Sequence, residues 1–257
     1  MASNNQIVVV SGLGNCTGTG GETARVFAKE GFKVALLSRP RREVSELKEE
    51  INNNGGQAEV FSLEDYTYES ITEVFKKVQE TWKGSRVKCA VWNTAQWSRI
   101  PFLEITQKDI ETSARINVVT STAFSQAAIK AFLAEGSEEE KGGTLIMTGA
   151  TSAWRGAKHF GAFAAGKHGL RALSQSIARE YNEKGVHVAF VVIDGTILTT
   201  RTEKNFGSRP DKEANWLHDE KQRLSPTSIA KTYLYLHRQT PDAWTLEMDL
   251  RPAKEHF

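Results

Sequence analysis

The 257 residues carry 33 Lys and Arg against 31 Asp and Glu, a formal net charge of +2, with only two cysteines. Interleaved charges of nearly zero sum offer no extended basic surface to nucleic acid or to an anionic membrane. Cys16 and Cys89 are too far apart in the chain to read as a disulfide framework, and no apolar run approaches bilayer length. A chain of this size encloses one substantial core, so a single domain over 1–257 is expected. Met1-Ala2-Ser3-Asn4-Asn5 lacks a basic stretch leading into an apolar one, which points to a cytoplasmic location. The six histidines form no ligand-spaced cluster, so no metal is expected.

The first element is a β-branched run, Ile7-Val8-Val9-Val10, broken by the glycine-rich stretch 11–21 and followed by helical spacing of Ala24, Phe27 and Ala28. Strand, glycine turn and helix in this order leave unpartnered amides at the helix start, a setting that suits a phosphate. Within that turn Cys16 reads either as small loop filler or as a thiol made acidic by the helix N-terminus. A second strand, 33–38, ends at Ser38-Arg39, where dinucleotide folds recognise the adenosine ribose. Arg39 replaces the acidic residue that would hold a free 2′-hydroxyl, so NADP(H) is expected over NAD(H). Arg41 and Arg42 read equally well as the solvated first turn of the next helix. Gly14-xxx-Gly18-x-Gly20, with Ser11-Gly12 before it, resembles the nucleotide motif of the short-chain dehydrogenase/reductase (SDR) family. The resemblance implies that Gly12, Gly14, Thr17, Gly18, Gly20, Ser38 and Arg39 serve the cofactor.

Further along, a helix over 43–53, a strand over 58–61 and a helix over 70–82 are expected. Asp65, just past the strand, is either the family's adenine-binding Asp or a helix N-cap. A strand over 87–92 ends in Asn93-Thr94-Ala95, similar to the family's Asn-Ala-Gly turn, which supports the cofactor. A long helix over 108–134 holds Asn117 in its interior, an unfavourable place unless the side chain has a task. In the family, an Asn here holds a water in a proton relay. The charged stretch 136–143 reads as a solvated connection. A strand over 144–148, a helix over 161–184, a strand over 187–193, a helix over 229–237 and a strand over 244–248 complete the pattern. Alternating strands and helices imply a doubly wound, Rossmann-like parallel sheet of seven strands with helices on both faces. By resemblance, Ile197 and Thr199 face the nicotinamide amide, and 200–225 is a substrate-covering segment. Asp194 stands where the family usually has proline.

SDR catalysis uses a Tyr activated by a Lys one helical turn later, a Ser that holds the carbonyl oxygen, and the Asn-water relay. Carried onto this chain, Lys167 and Asn117 are present, while the Tyr position is Phe163 and the Ser position is Ala150. The chain therefore resembles an atypical branch of the family. A replacement proton donor would come from Thr151, Ser152, His159, Asp194 or Ser98, of which Ser152 and Asp194 are carried forward. Each has an ordinary alternative, such as capping or bracing a turn. Trp97, Trp154, Phe163, Phe102 and Trp216 would surround an apolar or aromatic small-molecule substrate, or simply pack. The expected activity is reduction of an activated carbonyl, enone or imine. The alternatives are a non-redox cyclisation or rearrangement, and an inactive NADP(H)-binding partner or sensor. The family's habit implies a homodimer or homotetramer.

Overall fold

The computed structural model describes residues 5–134, 141–206 and 216–255. Seven strands form one sheet in the order β3-β2-β1-β4-β5-β6-β7, and every neighbouring pair runs parallel. They are β1 Gln6–Ser11, β2 Lys33–Ser38, β3 Gln57–Ser62, β4 Arg86–Trp92, β5 Gly143–Thr148, β6 Val186–Ile193 and β7 Glu247–Leu250. Most central strands are nearly continuous apolar runs because helices cover both faces. Alternate side chains serve alternate layers. Ile7 and Val9 pack towards α3 (Tyr68–Thr81), α5 (Ser121–Phe132) and α6 (Gly161–Tyr181), whereas Val8 and Val10 face α1 (Thr19–Lys29), α2 (Arg42–Asn53) and α8 (Pro226–His237).

Strand order reverses between β1 and β4, and this opens a crevice beyond their carboxyl ends where ligands bind in open α/β sheets. The glycine turn, the Asn93 turn and the segments after β5 and β6 all gather at this end.

Several boundaries differ from the sequence expectation. The helix expected over 108–134 is three pieces: α4 (Gln107–Ala114), one π-helical stretch Arg115–Thr120, and α5. Such wide turns interrupt α-helices frequently at functional sites. The helix after Phe163 ends at Tyr181 and passes through a 3-10 turn to Gly185, whose φ of +81° a side chain would resist. The last strand begins at Glu247, since residues 241–243 form a 3-10 turn led by Pro241. Residues 135–140 of the charged connection, and 207–215 of the segment after β6, lie outside the described residues.

Candidate active site

Close backbone approach explains the glycines after β1. A Cβ on Gly12 (φ +81°) would lie 2.4 Å from the Asn93 carbonyl carbon, and one on Gly20 would lie 2.5 Å from the Gly12 oxygen. Asn93 Nδ2 locks the two turns together by donating to the Gly12 oxygen at 2.7 Å. Gly14 is different: its φ is +59° and nothing lies within 4 Å of an added Cβ, so its need is the turn itself. The N-cap of α1 is Gly18, which has no side chain to satisfy the first-turn amides. A bare helix start beside a loop too tight for side chains fits a dinucleotide's phosphates.

At the end of β2, Ser38 is buried and donates to the Arg39 carbonyl at 2.7 Å, turning the chain so that Arg39 emerges exposed. Arg39 makes no ion pair among the described residues. Asp65 is exposed, and the cap of α3 is Thr67, in a reciprocal capping box with Ser70. The Asp65 carboxylate is thus not spent on the helix.

Cys16 corrects one alternative. It is buried with φ +64°, and burial pushes its thiol up to about 11, so it fills the turn and is not an acidic nucleophile. A Cβ on Gly21 would lie 2.2 Å from the Cys16 oxygen, which accounts for the glycine pair at 20 and 21.

At the centre, Asn117 is fully buried in the π stretch; its Nδ2 donates to the Ser113 oxygen at 3.1 Å, and its Oδ1 has no partner. An orphaned buried acceptor is costly unless water or ligand meets it. α6 reaches this turn through Gly166 and Gly169, where a Cβ would strike Ser113 Oγ at 2.4 Å and Val118 Cγ2 at 2.8 Å. Lys167 is 2 % exposed, and its Nζ donates to the Thr148 oxygen at 2.9 Å. Burial lowers its ammonium to about 8. Its Nζ stands 5.9 Å from the centroid of the Phe163 ring. Phe163 continues into a row of rings with Phe160 and Trp97, at centroid spacings of 6.4 and 5.9 Å.

Past β6, Asp194 is buried and accepts a hydrogen bond from Thr151 Oγ1, while its Oδ2 faces Arg251 NH2 at 3.4 Å. The Leu198 N–H donates to the Leu224 oxygen at 3.0 Å, which pins together the two ends of the segment after β6. Its first helix, α7 (Thr200–Phe206), begins in reciprocal bonds between Thr199 and Thr202. Asn15 Nδ2 donates to Thr200 Oγ1 at 2.6 Å, so the glycine turn touches this segment directly.

The short chain dehydrogenase family model matches residues 6–210. The chain belongs to this family. It is 27 % identical over 179 residues to the very-long-chain 3-oxoacyl-CoA reductase of Schizosaccharomyces pombe, covering 68 % of this chain but about half of that relative, 52 %. A short-chain dehydrogenase structure from Rhodopseudomonas palustris is 28 % identical with a TM-score of 0.77, covering 96 % of this chain and 99 % of that one. A variant of actinorhodin polyketide ketoreductase with NADPH superposes with a TM-score of 0.83 at 18 % identity over 100 % of both chains. At that identity the likeness is one of fold.

Against the short-chain dehydrogenase frame, the expected positions divide clearly. Gly12, Gly14, Thr17, Gly18, Gly20, Asn93 and Thr199 converge around the start of α1, where a Cβ on Gly18 would sit 3.3 Å from Thr199 Cγ2. Asn117 and Lys167 share the α6 side. Ser152 is buried and makes no side-chain hydrogen bond among the described residues, whereas Asp194 is engaged by Thr151 and Arg251. Trp97, Trp154 and Phe102 are exposed; Trp216 is not, being 2 % exposed, because the 3-10 turn Trp216–His218 folds it inward. Sequence reasoning missed Arg251, Gly166 and Thr200. Glycines one turn apart, at 166 and 169, were the available signal for close helix packing. Among the described residues no three His, Cys, Asp or Glu side chains gather as metal ligands, and no helix is long and apolar enough to cross a membrane.

Proposed function

We propose that the chain is an NADP(H)-dependent SDR-type oxidoreductase reducing an apolar or aromatic small molecule whose acceptor needs little acid assistance, such as an activated carbonyl, an enone or an imine. The carrying observation is the asymmetry of the site. The groups that would serve a dinucleotide are the turn of Gly12 to Gly20, Arg39, Asp65, Asn93, Thr199 and Lys167. The positions where the family has its proton donor and carbonyl-oxygen donor hold Phe163 and Ala150. NADP(H) itself would supply the hydride. Lys167 would hold the nicotinamide ribose, Arg39 the 2′-phosphate, and the amides at the start of α1 the pyrophosphate. The NADPH named with the actinorhodin ketoreductase structure fits this reading. Without a Tyr acid or Ser donor, reduction of an unactivated ketone loses on the order of a hundredfold or more per missing group. Ser152 is the proton-donor candidate with an uncommitted hydroxyl.

The test is consumption of NADPH with a panel of ketones, enones and imines, after binding of NADPH has been measured directly. Turnover of activated acceptors is expected; binding with no turnover on the whole panel would overturn the reading. The row Trp97–Phe160–Phe163 favours one second reading, a pocket that orients an aromatic intermediate for cyclisation. That activity would form product with no loss of NADPH.

A further inference from the structure

The carboxylate of Asp194 is 2 % exposed at the end of β6, among the least favourable places for a charge. Two neighbours meet it. Arg251 NH2 approaches Oδ2 at 3.4 Å, but the same guanidinium gives Nε to Asp249 Oδ2 at 2.6 Å, so two carboxylates divide one cation. The Arg251 guanidinium lies over the ring of Trp154, 6.0 Å from its centroid.

Thr151 donates its hydroxyl proton to Asp194 Oδ1. With that proton committed, Thr151 Oγ1 presents only lone pairs to its open side, and Thr151 is itself partly exposed. It follows Ala150 directly, in the 3-10 turn Thr151–Ala153 that leads to Trp154. The site therefore offers an acceptor backed by a buried carboxylate, while the Trp154 face beside it is taken by Arg251. It offers no donor at positions 150 and 163.

Resting on the reductase reading above, we infer that the preferred substrate is a protonated cyclic imine, with Thr151 accepting its N–H and Asp194 positioning Thr151. The chemistry balances without an acid. The hydride pair from the reduced nicotinamide forms the new C–H bond at the iminium carbon, and the C=N π pair moves onto nitrogen. The products are a neutral amine and the oxidised nicotinamide. No proton is taken up, so neither Phe163 nor Ala150 is a handicap. A carbonyl oxygen, by contrast, would meet lone pairs on Thr151.

The probes are protonated 3,4-dihydroisoquinoline and 1-tetralone, two bicyclic acceptors of matching size, used with the full chain and NADPH. The iminium is expected to exceed the ketone in kcat/KM by at least about a hundredfold, the worth of a charge-assisted hydrogen bond plus an avoided protonation. A second readout needs no turnover: calorimetry should show 1,2,3,4-tetrahydroisoquinolinium binding at least about tenfold more tightly than neutral tetralin. Thr151→Val should remove most of both preferences through KM, Thr151→Ser should restore them, and Asp194→Asn should reduce them while leaving NADPH affinity unchanged. Equal or faster turnover of the ketone, or preferences untouched by Thr151→Val, overturns the inference and leaves the reductase reading standing. Bound NADPH that is consumed with neither probe nor with any acceptor of the wider panel overturns both.

Discussion

Lys167 and Phe163 lie one helical turn apart on α6, with the ammonium 5.9 Å from the ring centroid. The lysine is thus buried against a ring that offers its charge a weak π attraction and no hydrogen bond. Burial holds it near 8, below its usual 10.5. Between those values the unfolded chain binds a proton that the folded chain does not, so stability rises as pH goes from about 8 to about 10.5. The gain is on the order of 3 kcal/mol. Chemical denaturation across this range should show the rise, and Lys167→Met should flatten it.

Phe163→Tyr alone should restore little ketone reduction, because Ala150 still provides no donor for the oxygen. The pair Ala150→Ser with Phe163→Tyr should gain on the order of a hundredfold over either single change in kcat on a simple ketone. Steady-state kinetics on the three variants checks this.

Gly12→Ala should be far more damaging than Gly14→Ala. The first puts a Cβ 2.4 Å from the Asn93 backbone; the second meets open space and carries only the left-handed backbone penalty, about 1–2 kcal/mol. Thermal melting separates them, and loss of NADPH binding should accompany Gly12→Ala.

Arg39→Ala should weaken NADPH by about tenfold to a hundredfold while leaving NADH nearly unchanged, since an exposed guanidinium would meet only the extra phosphate. Titration with both dinucleotides reads the ratio.

At the opposite end of the sheet, His237 is held down to about 4 by burial and by the nearby charges of Arg238, His187 and Lys88. The unfolded chain protonates this group near 6.5, so stability is full above that value and declines as pH falls towards 4. His237→Gln should lessen the acid-side loss in melting temperature, with the ring's bond to Thr144 Oγ1, 3.1 Å, replaceable by the amide.

Much of the fold was legible because its signals are local. Runs such as Ile7 to Val10 and Val188 to Ile193, short and β-branched, suit strands covered on both sides, and the Gly12 turn announces itself by composition. Arg39 was legible for the same reason, lying directly at a strand end. The π turn was not, since Arg115-Ile116-Asn117-Val118 fits ordinary helical spacing and only packing against Gly166 and Gly169 distinguishes it. Asp194 was noticed as a departure, yet its partner Arg251 arrives just past β7, the strand beside β6 in the sheet but far along the chain, a meeting set by sheet order. Trp216 misled because a large ring in a polar stretch looks exposed until the turn that buries it is known.

The hydrogen bond from Asn15 to Thr200 has a kinetic consequence. It ties the head of the segment after β6 to the very turn proposed to hold the pyrophosphate, so a dinucleotide seated in that turn would bear directly on Thr199 and Thr200. On that proposal the dinucleotide is expected to add first and leave last, and product-inhibition kinetics checks the order.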